Sequence, residues 1–79
     1  MAAEEHFETV LSEIASDLTQ LAEKSKVGQY SVGEHLDVTA KAKRFLREVN
    51  NSTMLGDEQK TVYKKRLVNE FELCSLDLD

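Results

Sequence analysis

Glu48-Val-Asn-Asn-Ser-Thr-Met-Leu-Gly-Asp-Glu-Gln-Lys-Thr-Val-Tyr-Lys-Lys-Arg-Leu-Val-Asn-Glu-Phe71 reads as the end of one helix, a polar turn and the start of another. Asn50, Asn51, Ser52 and Gly56 break helical pattern, and Asp57 is placed to accept backbone N–H groups of the following first turn. The stretch is therefore a helical hairpin. Downstream, Tyr63, Leu67, Phe71 and Cys74 fall on one side, with Val62 and Val68 flanking, which predicts a helix over about 57–76. Tyr63 is expected to keep its hydroxyl in water.

Upstream of the hairpin, Val38, Ala42, Phe45 and Val49 form the inward stripe of a helix over about 32–51, with Leu46 and Leu36 at its margins. Ser31 and Glu34 have the spacing of a capping box that starts it, and small Ala40 and Ala42 invite close helix approach. Further back, Phe7, Leu11, Ile14, Leu18 and Leu21 recur at steps of four, three, four and three, widened by Val10. That pattern predicts a bundle-facing helix over about 4–25, with acids at its start, lysines at its end and Gly28 as its stop. Three such helices, each about 30 Å long, make a single all-α domain over residues 1–79, a three-helix antiparallel bundle running up, down and up.

A chain of 79 residues buries only about 60% of its unfolded surface, which suits a binding module better than an enzyme with a roomy pocket. Fifteen acids against ten bases give a net charge of −5, which opposes general nucleic-acid binding. The average hides an asymmetry: residues 1–25 carry six acids and one lysine, whereas residues 26–52 carry five bases and three acids. One cysteine, Cys74, and no acceptable ligand set predict no zinc site and a reduced, cytoplasmic chain. No apolar run approaches the ~20 residues of a membrane span, so membrane contact is expected to be indirect. No cofactor is expected, and no catalytic set emerges around His6, His35 or Cys74. Gly28, Gly33 and Gly56 follow no strand and read as turn and cap residues rather than a phosphate loop. Asn51-Ser-Thr53 matches a glycosylation acceptor, idle in the cytoplasm.

Lys43, Arg44 and Arg47 point away from the core stripe of the second helix and adjoin one another, with only Glu48 in reach of Arg44. They are candidates for recognition of an acidic protein partner, with solvated surface as the alternative. On the third helix Arg66 has Glu70 one turn on. The end of the chain carries more apolar residues than one helix face needs, so it either frays, the better reading, or docks on a partner, with Leu76 and Leu78 as further partner-binding candidates.

At the hairpin, Glu48-Val-Asn-Asn-Ser52, Gly56-Asp57 and Thr61-Val-Tyr63-Lys64 with Leu67 one turn on resemble the N-terminal three-helix, Habc-like domain of the Vti family of SNARE proteins. Phe7 with Leu11 in an acidic first helix adds to the likeness. Phe45-Leu46-Arg47 stands where that family usually has a methionine–acid pair. The resemblance implies a regulatory module of vesicle trafficking on the cytosolic face of Golgi or endosomal membranes, with a SNARE or an epsin-related adaptor domain as partner. Such proteins continue into a coiled-coil SNARE segment and a membrane anchor, which these 79 residues do not include, so the implied role is binding rather than fusion. Separately, Tyr63-Lys-Lys-Arg-Leu-Val68 is similar to part of the BAG domain, which implies an Hsp70 co-chaperone as the alternative. Ser75-Leu-Asp-Leu-Asp79 is similar to a clathrin-box peptide, with Ser75 in place of its leading leucine.

Overall fold

A computed structural model describes residues 3–76 and 78. Three helices, α1 (Ala3–Lys26), α2 (Val32–Asn51) and α3 (Asp57–Leu73), pack so that each touches the other two, the expected antiparallel three-helix bundle. All five residues of the predicted α1 stripe are buried, as are Val38, Ala42, Phe45 and Val49 of α2 and Tyr63, Leu67 and Phe71 of α3. Phe7, Phe45 and Tyr63 bring one ring from each helix to the end of the bundle nearest the hairpin. Phe45 meets Phe7 edge-on at 6.0 Å and Tyr63 at 6.2 Å between centroids, an arrangement that aligns ring edges with ring faces.

Several local expectations are corrected. Leu36 is exposed and Ala40 lies on the surface, while Thr39 and Leu55 are buried instead; Leu55 comes from the α2–α3 turn, where no helical period marks it. Tyr63 keeps its expected place on the core stripe and is only 6% exposed. The Ser31 hydroxyl accepts from the Glu34 backbone N–H at 3.3 Å, but Glu34 turns its carboxylate to Lys24 at 2.6 Å, leaving the box half made. At α3 the cap residue is Gly56, with Asp57 already helical, and Gln59 Oε1 accepts from the Gly56 N–H at 3.1 Å.

Helix α3 also stops earlier than its apolar pattern suggests, at Leu73 instead of residue 76. Ser75 turns into the left-handed region at φ 55°; its N–H donates to the Glu72 carbonyl, and the Leu76 N–H donates to the Phe71 carbonyl, both at 3.0 Å. This is the Schellman arrangement that uses up orphan carbonyls at a helix end. The same arrangement closes α1, where Gly28 at φ 74° occupies the left-handed position and the Gln29 N–H donates to the Lys24 carbonyl at 2.7 Å. Beyond the α3 cap, Leu76 and Leu78 fold back and pack, half-buried, against the core. Asp77 and Asp79 of the clathrin-box-like peptide lie outside the described residues.

Candidate functional site

Polar pairing across helices sorts the charged residues into those the fold consumes and those it leaves over. Helix α1 lies at the centre of this pairing. Asp17 accepts from Lys41 of α2 at 2.8 Å, Lys24 donates to Glu34 of α2, and His6 meets Glu48 of α2 at 3.3 Å. Asp17 holds the Lys41 ammonium above its ordinary value; a raised lysine contributes fully below the ordinary 10.5 and loses that contribution only as pH climbs through the higher folded value. On the other side Glu8 receives a two-pronged grip from Arg66 of α3, at 2.6 and 3.0 Å, and Glu4 accepts from Gln59. The Arg66 guanidinium also lies 5.7 Å from the centre of the Tyr63 ring, close enough for cation–π attraction. Two pairings expected within single helices are thus replaced: Glu48 turns to His6 and not Arg44, and Arg66 reaches Glu8, 58 positions away, and not Glu70.

Lys43, Arg44 and Arg47 are all exposed on α2, and two of them line different grooves. Arg44 lines the α1–α2 groove with Val10, Glu13, Lys41 and Glu48. Arg47 lines the α2–α3 groove with Leu46, Asn50, Lys64 and Val68. Lys43 already has a polar partner of its own. The predicted cluster therefore straddles the crest of the helix, with Arg44 and Arg47 about 60° apart around its axis and turned to different grooves.

The α2–α3 groove gathers residues that a single helical wheel keeps apart. Its floor is apolar, from Leu46, which packs against the core, and Val68, which is 41% exposed. Its rim is basic, from Arg47 on α2 and Lys64 on α3. Lys64 and Val68 also line a shallow depression that continues over α3 past Lys65, Asn69 and Glu72, so the two form one surface. Lys64 donates to the Asn50 side chain at 3.3 Å, and Lys60 to the Asn50 carbonyl at 3.2 Å, cations placed at the negative end of the α2 dipole. Among the described residues, no carboxylate pairs with Arg47, Lys64 or Lys65. What was missing from the sequence reading was the register of α2 against α3; Leu46, Val68, Lys64 and Lys65 each stood in view without a common address.

The remaining reactive groups are dispersed. The Tyr30 hydroxyl and His35 Nδ1 share a hydrogen bond, and their rings meet edge-on at 5.7 Å. Cys74 is half-buried, and burial pushes its thiol up. Among the described residues no group of three or more His, Cys, Asp or Glu could hold a metal ion, and no helix is long and apolar enough to cross a membrane.

Leu76 and Leu78 lie at the opposite end of the bundle from the aromatic trio, against the chain's own core. The large apolar residues left most exposed are others: Val27, Val32, Leu36, Met54 and Leu73, each more than 60% exposed. Comparison with protein-family models, curated proteins and solved structures finds no match to this chain.

Proposed function

We propose that this chain is a non-enzymatic protein-interaction domain that recognises an acidic protein partner along the α2–α3 groove. The single observation that carries the reading is the contrast between Lys24, Lys41 and Arg66 in α1's seams, which meet carboxylates, and Arg47, Lys64 and Lys65, which rim an apolar strip without one. Bare cations beside exposed apolar surface supply both parts of a recognition surface: long-range attraction that speeds encounter, and area to bury on contact. Of the trafficking and chaperone resemblances we take the Vti-like one, because its matching residues run from Phe7 through the hairpin to Leu67, with an epsin-related adaptor domain or a SNARE as partner at the cytosolic face of Golgi or endosomal membranes. In the BAG-like segment Tyr63 lies in the core and Arg66 is tied to Glu8, while Lys64, Lys65 and Val68 belong to the groove surface itself, so an Hsp70 is the second reading.

The test is association kinetics with acidic trafficking-adaptor domains at low and high salt. Arg47→Glu, Lys64→Glu and Lys65→Glu together should slow association by tenfold or more at low salt, with most of the salt dependence gone. Arg44→Glu, on the other groove, should do much less. Equal effects from both variants, or none from either, would move recognition off this groove.

A further inference from the structure

Ser75, Leu76 and Leu78 carry a second inference, independent of the α2–α3 groove. We propose that these residues form a releasable latch: closed, it covers the core where the ends of α1 and α3 meet; open, it uncovers that ground and the side of Cys74. The molecule contains its own control for the hinge. Gly28 and Ser75 occupy the same position of the same capping motif, both with positive φ, yet only glycine adopts that conformation without a clash between its side chain and the backbone. Ser75 is exposed and its hydroxyl forms no hydrogen bond among the described contacts, so nothing local offsets the strain. The latch is held by the two backbone hydrogen bonds to Glu72 and Phe71 and by the packing of two leucines that are only partly buried. A strained hinge set against partial burial gives a closed state that outweighs the open one by a small margin, the condition for local opening well below global unfolding. Leu76 shares one depression with Cys74, Leu73, Thr19 and Ala22, so opening removes one wall from around the half-buried thiol.

Cys74 is the only cysteine in the chain, and its alkylation by iodoacetamide reads the opening directly when reclosing is faster than labelling. In the full chain, Ser75→Gly relieves the hinge and should slow labelling by about five- to tenfold, with the far-UV circular dichroism unchanged. Ser75→Pro fixes φ near −65° and removes the N–H that bonds Glu72; it should speed labelling by tenfold or more. Leu76→Ser leaves the hinge intact and should also speed it. Faster labelling by Ser75→Pro accompanied by loss of helix would report unfolding, and the decision then rests on Ser75→Gly, which keeps every contact. If Ser75→Gly labels as fast as the parent or faster, there is no latch under strain and the inference fails.

Discussion

Along α1, Asp17 meets Lys41, Lys24 meets Glu34 and Glu8 meets Arg66; along the α2–α3 groove, Arg47 and Lys65 meet no carboxylate among the described residues. The two regions draw on the same residue types. What differs is the partner: acids of α1 occupy Lys41 and Arg66, which face it, whereas α2 and α3 turn cations toward each other across Leu46 and Val68. Lys41 and Arg66 are therefore assigned by the helix they face and not by their own neighbours in sequence.

The strongest way to break the comparison is to remove what both regions stand on. Phe45 is buried and touches the rings of Phe7 on α1 and Tyr63 on α3. Phe45→Ala should cost about 3–5 kcal/mol, enough to unfold much of so small a domain and to abolish groove binding with it; thermal melts followed by circular dichroism measure this.

A cut confined to α1's side should be smaller. Arg66→Met keeps the stem of the side chain but loses the grip on Glu8; both groups are close to half exposed, so the expected loss is at most about 1 kcal/mol. The pH dependence sharpens it. Arg66, chiefly by hydrogen bonding, holds the Glu8 carboxyl below its ordinary 4.5. A depressed carboxylate stabilises fully above the unfolded value and loses that contribution as pH falls through the folded one. The melting-temperature gap between parent and Arg66→Met should thus be widest near neutrality and close as pH falls below the ordinary 4.5 and through the lower folded value. A gap that stays constant over that range would mean Arg66 acts through its stacking on Tyr63 alone.

The smallest expected effect on stability is on the groove. Arg47→Ala, with no partner to orphan, should move stability by no more than about 0.5 kcal/mol, while association with an acidic partner slows. A clear drop in melting temperature would show that Arg47 belongs with the consumed cations after all.

How far sequence reaches follows the same division. The apolar stripes of α1, α2 and α3 are legible because each repeats every three or four residues, and the buried positions from Phe7 to Phe71 follow from that repeat. Leu55 escaped because a turn has no period, and Thr39 because its residue type argues for the surface. The apolar pattern overruns the end of α3 because Leu76 continues the trend while the chain has already turned at Ser75, a residue that seldom takes a positive φ. The division of Arg44 from Arg47, and the reach of Arg66 to Glu8, depend on the rotation of one helix against another. No single-helix pattern encodes that rotation.

The aromatic trio also gives the molecule a built-in optical signal. The chain has no tryptophan and two tyrosines, of which Tyr63 is enclosed by Phe7 and Phe45 while Tyr30 is 42% exposed. Near-ultraviolet ellipticity should therefore come mostly from Tyr63 in its fixed asymmetric setting, and far-ultraviolet ellipticity from all three helices. A variant that keeps the second and loses the first has helices without a packed core, so two spectra of unlabelled protein separate those states at the one point where α1, α2 and α3 converge.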